Sequence, residues 1–223
     1  NILKYKYKPF PFPRKNAIIS LRKEMCMNNY EKIINLATNN NGYITTKMVM
    51  ENTIANMYLT NLVKTGKLER IDRGVYILPS EFPDEYYKLQ LANKEAIFSF
   101  ATALYFLGLS DRVPLIIDIT VPYNYAGNLL KNNNVSLNYV KKNVLNLGTI
   151  EIETNFGNKI KVYDVEKTIC DIVKNQTKMD AEIFTKALQN FVVLKNKDLH
   201  KLHKYAKELN VEDKVSEYMK VLL

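Results

Sequence analysis

The sequence lacks the features that mark the commonest membrane and enzyme classes. None of its 223 residues lies in an apolar run of the roughly 18 residues that a transmembrane helix needs. Two cysteines, Cys26 and Cys170, are too few for a disulfide framework or a zinc site, and they favour a reducing cytoplasm. There is no Walker loop, no Gly-x-Gly-x-x-Gly fingerprint and no nucleophile elbow. We therefore expect a cytoplasmic protein that makes no membrane contact and needs no cofactor.

Two small groups of polar residues could be read as metal-binding or catalytic, but ordinary structural roles account for both. His200 and His203 lie three apart in a late helical segment, but no further ligands converge at a helpful spacing, so we predict no metal site. Asp164, Glu166 and Asp171 fall within two helical turns, where capping and solvation account for them. The sequence therefore predicts a protein that is not an enzyme.

Positive charge is concentrated at the N-terminus. Residues 1–26 hold seven Lys or Arg and one acidic residue, so this tail supplies +6 of the formal net charge of +9. Its three prolines block regular structure. We expect residues 1–26 to be a basic tail that is disordered or non-native, the alternative being a basic arm that follows DNA phosphates.

After the tail, apolar spacing predicts three helices. The first begins at Tyr30 and is stopped by a turn at residues 39–44, where Gly42 can take a positive φ. The second is a short helix over residues 46–51 with Thr45 as its N-cap. The third covers residues 54–65, with Thr53 as its N-cap. Its core face is formed by apolar residues at three- and four-residue spacing, namely Ala55, Leu59, Leu62 and Val63. This order is typical of a helix-turn-helix unit.

A β-hairpin follows the third helix. Gly66 ends the helix, residues 68–71 and 75–78 read as strands, and Asp72-Arg73-Gly74 reads as a tight turn between them. A helix-turn-helix followed by a two-stranded wing is a winged helix-turn-helix, which we assign to residues 27–80.

From residue 84 the pattern changes to mixed α/β. Predicted strands cover residues 114–122, 135–140, 149–154 and 159–163. Predicted helices cover residues 84–93, 94–107, 124–132, 164–174, 180–193, 198–209 and 211–223. We predict an α+β fold, in which the winged helix-turn-helix precedes a mixed α/β domain at 84–223 that ends in helices.

A winged helix offers short polar side chains to base edges in the major groove and cations to phosphates. Asparagine suits bidentate contact with adenine, and an arginine at a wing tip can enter the minor groove. The expected DNA-binding residues are Thr45, Thr46, Lys47, Thr53, Asn56, Thr60, Asn61, Lys64, Lys67, Arg70 and Arg73. The alternative is a protein-interaction module, since residues 42–78 hold only five basic and three acidic side chains.

Three blocks of the sequence together resemble the AbiEi-family antitoxins of type IV toxin–antitoxin and abortive-infection systems. The first is GYITTKMVMENTIANMYLTNLVKTGKLERIDRGVYILP, which contains the wing pattern Gly-x-Leu-x-Arg-x-x-x-Gly-x-Tyr. The others are SFATALYFLGLSDRVPLIIDITVP and VYDVEKTICDIVK. The resemblance spans nearly all of residues 28–223 and leaves out the basic tail.

The resemblance implies an antitoxin that represses its own operon. Such a protein binds inverted repeats in double-stranded DNA upstream of its operon, and it counteracts a neighbouring nucleotidyltransferase-like toxin during phage infection. The antagonism is functional and does not require a stable complex. The competing hypothesis is a protein-interaction antitoxin whose C-terminal domain, 84–223, blocks the toxin directly and whose winged helix is non-functional.

Overall fold

A computed structural model describes residues 28–127, 129 and 132–222. The predicted basic tail at 1–26 lies outside the described residues. The chain divides into two compact units, one ending at Phe82 and the other beginning at Pro83.

The first unit alternates helices and strands around a small sheet. Its elements are α1 (Asn29–Thr38), β1 (Tyr43–Thr45), α2 (Thr46–Glu51), α3 (Met57–Lys64), β2 (Glu69–Asp72) and β3 (Val75–Ile77). The antiparallel sheet has the order β1-β3-β2, so β3 lies between the wing strand β2 and the short strand β1. This is the winged helix-turn-helix predicted from the sequence.

Apolar side chains from every helix of the first unit meet in one core. Ile33 of α1, Leu59 and Leu62 of α3, and Leu68 before the wing are almost fully buried. Asn28 caps α1 by accepting the Glu31 N–H at 2.9 Å, and the Glu31 carboxylate accepts the Asn28 N–H in return. The core and this capping box fix the helices that hold α3 in place.

Two local predictions in the first unit are wrong. The turn predicted at residues 39–44 overlaps β1, a three-residue strand that pairs with β3. The third helix begins at Met57 rather than at residue 54, and Thr53 is not its N-cap. Thr53 instead takes a φ of 59°, in the turn that ends α2.

The second unit has a five-stranded sheet and a helical C-terminus. Its elements are α4 (Glu85–Ala92), β4 (Ile97–Phe98), α5 (Phe100–Phe106), β5 (Ile117–Pro122), β6 (Val135–Val140), α6 (Lys142–Leu145), β7 (Thr149–Glu153), β8 (Lys159–Tyr163), α7 (Val165–Lys174), α8 (Ala181–Val193), α9 (Leu199–Glu208) and α10 (Glu212–Leu222). The predicted mixed α/β class with a helical C-terminus is therefore confirmed.

The sheet of the second unit is mixed, with the order β6-β5-β4-β8-β7. Strands β5 and β6 run parallel, as do β4 and β8, while β4–β5 and β7–β8 are antiparallel. The helix predicted over residues 94–107 is split, because Ile97 and Phe98 pair with β5 and β8 and only residues from Phe100 onward are helical. The predicted strand over residues 114–122 begins at Ile117. The prediction of a short helix over 124–132 is wrong for the described residues of that segment, none of which is α-helical.

Helix α7 lies at the centre of the helical core of the second unit. Its apolar residues pack with α5, α8, α9 and α10, and its eight residues from Glu166 to Val173 are all buried. Asp164 caps this helix by accepting the Lys167 N–H at 2.9 Å. No helix in the described part of the chain is long and apolar enough to cross a membrane.

Candidate nucleic-acid interface

Helix α3 buries one face and leaves the opposite face to solvent. Leu59 and Leu62 enter the core, while Met57, Thr60 and Lys64 lie at i, i+3 and i+7 on the other side and are exposed. The helix contains no acidic residue on either face. This open face has the size and polarity of a surface that can lie in a DNA groove.

The turn before α3 is a Schellman motif that ends α2. The Thr53 N–H donates to the Met50 carbonyl at 2.9 Å, and the Ile54 N–H donates to the Val49 carbonyl at 3.1 Å. Ile54, the residue after the left-handed position, is buried, a feature that often accompanies this motif. Thr53 occupies that left-handed position with its side chain exposed, a conformation that a β-branched residue adopts only with strain.

Because of that strain, Thr53→Gly should stabilise the protein by about 0.5–1 kcal/mol, since glycine tolerates the left-handed conformation and only part of the gain is lost to chain entropy. Urea unfolding of the variant and of wild type measures the difference. Thr53→Val is the matched control, because valine keeps the β-branch and therefore the strain. A destabilised Thr53→Gly variant would contradict the strained geometry.

Asn61 is on α3 but turns toward α1. Its amide donates to the Tyr30 hydroxyl at 3.2 Å, and the Tyr30 ring packs edge-on against Tyr58 with centroids 4.9 Å apart. Asn61 is accordingly half-buried, unlike Thr60 and Lys64 beside it. The structure therefore gives Asn61 a role in joining the two helices.

Asn61→Ala and Tyr30→Phe should each lower the free energy of unfolding by about 0.5–1.5 kcal/mol, the usual range for one hydrogen bond. Because both variants remove the same bond, the double variant should lose little more than either single one. Urea unfolding of the four proteins completes the cycle. Strictly additive losses would show that the two side chains do not interact.

The polar groups of Thr45 and Thr46, where α2 starts, form hydrogen bonds within the protein. Thr45 is only 8% exposed, and its hydroxyl accepts the Met48 N–H at 3.1 Å, which confirms its predicted N-cap role. The Thr46 N–H donates to the Gly74 carbonyl at 2.9 Å, so half-buried Thr46 ties α2 to the wing turn. Lys47 is exposed and lies 3.8 Å from the Glu51 carboxylate.

The wing holds two arginines beside a compact turn. The Arg73 N–H donates to the Asp72 carboxylate at 2.6 Å, and Gly74 takes a φ of 75°. The Arg70 Nε donates to the Asp72 carbonyl at 3.3 Å, which directs this side chain along the wing. Within the described residues, no carboxylate forms an ion pair with the Arg73 guanidinium, so its charge at the wing tip is not neutralised.

The predicted contacts therefore fall into two sets. Exposed side chains are found at Lys47, Thr53, Asn56, Thr60, Lys64, Lys67, Arg70 and Arg73. The remaining three, Thr45, Thr46 and Asn61, are buried or half-buried and make the internal hydrogen bonds described above. Sequence reasoning missed Met57, which is 63% exposed, and placed exposed Ala55 on the core face. Ala55 precedes the helix start at Met57, so the helical period does not place it on the core face.

The fold and this surface define a winged helix-turn-helix, a class of domain in which the second helix of the pair is presented to the major groove. Residues 31–79 match the model of a family described as a transcriptional regulator, AbiEi antitoxin. The resemblance predicted from the sequence is thereby confirmed over the winged helix.

Other comparisons are weaker. A crystal structure of the RV2827C protein from Mycobacterium tuberculosis is similar with a TM-score of 0.46 and 16% sequence identity, over 84% of this chain and 82% of that chain. At this level of similarity, that protein's function has no bearing on the present chain. No curated protein sequence matches the chain significantly.

Proposed function

We propose that the protein is a DNA-binding antitoxin that represses its own toxin–antitoxin operon. In this proposal the winged helix binds inverted repeats in double-stranded DNA upstream of the operon, in the cytoplasm. The C-terminal domain at 84–223 counteracts a nucleotidyltransferase-like toxin of a type IV system during phage abortive infection. The protein acts as a regulator and not as an enzyme.

The observation that carries the proposal is the open face of α3 beside a wing with an exposed cation at its tip. Thr60 and Lys64 on α3, and Arg73 on the wing, are exposed on a unit whose residues 31–79 match a transcriptional-regulator antitoxin model. A helix in the major groove with a wing beside it would bring Lys64, Lys67 and Arg73 to phosphates or the minor groove. Residues 42–78 hold only five basic and three acidic side chains, and this small positive excess calls for specific base contacts rather than charge alone.

Fluorescence anisotropy of the full chain on DNA from upstream of its own gene tests the proposal. We expect this DNA to be bound about a thousandfold more tightly than scrambled DNA of equal length and composition, as specific repressors do at physiological salt. The measurement is repeated at two salt concentrations to separate charge from base reading. Weak, equal and salt-sensitive binding to both DNAs would refute specific repression.

Lys64→Ala should weaken binding to operator and scrambled DNA by a similar factor. Lys64 closes α3, and loss of a single phosphate contact should reduce the slope of log affinity against log salt by about one. Anisotropy titrations across a salt series measure that slope. Lys32→Ala is the control, because Lys32 is an exposed lysine on α1 outside the proposed interface. An unchanged slope for Lys64→Ala would remove this residue from the DNA interface.

A second candidate function is direct neutralisation of the toxin by the C-terminal domain. The observation that favours it is an apolar rim formed by Val113, Leu115 and Ile116, with Leu115 95% exposed, beside a groove of about 450 Å³. Co-purification of the toxin with wild type but not with Leu115→Glu would support this function. Failure of the two proteins to co-purify at micromolar concentration would leave the functional antagonism of the first proposal.

A further inference from the structure

The residues that open α3 share one chemical property. Ala55, Asn56, Met57 and Thr60 are all exposed and all uncharged. The first cation in the helix is Lys64, its last residue. In helix-turn-helix proteins, the N-terminal residues of the recognition helix are the ones that meet base edges. This uncharged group is therefore the part of the interface that reads sequence.

Each base pair makes a different demand on such side chains. Guanine is read through its O6 and N7 atoms by Arg or Lys, and the cytosine amino group is read by a carboxylate. Adenine is read by the amide of Asn or Gln, and the thymine methyl group by apolar atoms such as those of Ala or the Thr methyl. The opening of α3 lacks the guanine and cytosine readers and holds both kinds of A·T reader.

The geometry of the helix start frees Asn56 for this task. Asn56 occupies the N-cap position of α3, but its side chain makes no capping hydrogen bond, and it is exposed. Both ends of its amide are thus available to an adenine. Met57 and Thr60 follow at i+1 and i+4 on the open face, where their methyl groups can meet thymine methyl groups in the same groove.

The wing fits the same base composition independently. Arg73 lies at its tip, with a backbone hydrogen bond to Asp72 that fixes the turn. Runs of A·T pairs narrow the minor groove and make its potential more negative, which attracts an inserted arginine. A guanidinium at the wing tip therefore favours A·T pairs beside those under α3.

We propose that α3 reads a core of A·T pairs in each operator half-site. Asn56 forms two hydrogen bonds with an adenine, and Met57 and Thr60 contact thymine methyl groups. This inference rests on the proposed function, in which α3 enters the major groove, and it names the class of DNA that the surface takes.

Selection from a random double-stranded DNA library with the full chain, followed by sequencing, is the first test. We expect each half-site of the enriched sequences to contain a block of A·T pairs at its centre. Enriched sites with G·C pairs at that centre would overturn the A·T inference and leave specific DNA binding intact. A library without enrichment would overturn both, and the anisotropy preference for upstream DNA would fail with it.

Base analogues then separate major-groove reading from groove shape. Deoxyinosine·cytosine pairs keep the amino-free minor groove of A·T pairs but present the major-groove pattern of G·C pairs. Placed in the core, they should weaken binding about five- to 150-fold per pair read, the range for loss of a bidentate contact. Deoxyuridine in place of thymidine removes only the methyl group and should weaken binding by a smaller factor. Full affinity for the deoxyinosine·cytosine core would overturn reading by α3.

Paired variants tie the effect to a residue. Asn56→Ala should lose preference at one A·T pair in the selected site and become tolerant of deoxyinosine·cytosine there. Asn39→Ala is the matched control, since Asn39 is an exposed asparagine at the C-cap of α1, outside the proposed interface, and it should retain the full preference. Circular dichroism confirms that both variants are folded. Equal preferences in Asn56→Ala and wild type would remove Asn56 as the adenine reader.

Discussion

Lys167→Met should destabilise the protein by about 3–5 kcal/mol at neutral pH, the range for breaking a buried ion pair from one side. Lys167 Nζ lies 2.6 Å from both carboxylate oxygens of Asp171, one helical turn along α7. Nζ also lies 4.0 Å from the centre of the Tyr163 ring, and the Lys167 side chain is 1% exposed. Methionine fills the space of the lysine side chain, so the loss of unfolding free energy arises from the unpaired buried charge of Asp171 rather than from a cavity.

The pH dependence of this loss has a defined sign. Burial raises the pKa of Asp171 above its ordinary value, and Lys167 opposes that rise. Without Lys167, the pKa of Asp171 in the folded protein rises further above its unfolded value. A raised carboxyl pKa contributes stability at pH values below the unfolded pKa and loses that stability as pH rises through the folded pKa. The Lys167→Met deficit should therefore be small near pH 4 and largest at neutral pH.

A double variant separates charge from packing. Lys167→Met combined with Asp171→Leu replaces the ion pair by apolar side chains and should restore stability to within about 1–2 kcal/mol of wild type. Urea unfolding of wild type, both single variants and the double variant, at pH 4 and pH 7, gives the coupling energy. A loss below about 1 kcal/mol for Lys167→Met at pH 7 would contradict the buried pair.

The sequence predicts helix α7 and its N-cap, but it does not predict that the Lys167–Asp171 ion pair is buried. Lysine and aspartate at i and i+4 ordinarily indicate a pair on a solvent-facing helix, and the sequence predicts capping and solvation for Asp164, Glu166 and Asp171. Capping is confirmed for Asp164, but Asp171 is buried against Lys167. The Lys167 side chain is covered instead by the Tyr163 ring and by the loop at Gly148, which precedes α7 by two whole strands in the chain. Local spacing carries no information about that contact.

The same distinction separates correct from wrong predictions in the winged helix. Local chemistry alone predicts that the chain ends a helix at the turn containing Gly42 and at Gly66, and both glycines take a positive φ. Strand β1 was missed because three residues have no period of their own and become a strand only by pairing with β3. Thr53 was read as an N-cap because threonine is common there and rare in the left-handed conformation.

On the candidate DNA-binding surface, the sequence predicts which side chains are exposed, but not which of them form hydrogen bonds to distant residues. Thr60, Lys64 and Arg73 follow from the helix period and the hairpin turn, and all three are exposed. The helix period predicts that Asn61 is exposed as well, yet its amide donates a hydrogen bond to the hydroxyl of Tyr30, 31 residues earlier in the chain. Only the packing of α1 on α3 distinguishes Asn61 from its neighbours.

Gly148→Ala should destabilise the protein by about 2–5 kcal/mol, because two separate costs meet at this glycine. Gly148 has a φ of 69°, which costs an alanine about 1–2 kcal/mol. An added Cβ would lie 2.7 Å from the Cβ of Lys167 and 3.0 Å from an oxygen of Asp164. The Lys167 Cβ is fixed to the backbone of α7, and the Asp164 oxygen is held by the Lys167 N–H, so relieving the overlap must move α7 or its cap, typically at another 1–3 kcal/mol.

A second glycine with the same backbone conformation isolates the clash. Gly108 also has a φ of 69°, and a Cβ added there would meet nothing within 4 Å. Gly108→Ala should therefore cost only the conformational part, about 1–2 kcal/mol. Urea unfolding of the two variants gives the difference between their losses of unfolding free energy, which measures how tightly Gly148 approaches α7.

The Gly148 carbonyl accepts the Asp164 N–H at 2.7 Å, so a large difference would locate the close approach at the cap that starts α7. Equal losses in the two variants would show that α7 yields freely and that Gly148 is needed only for its backbone conformation.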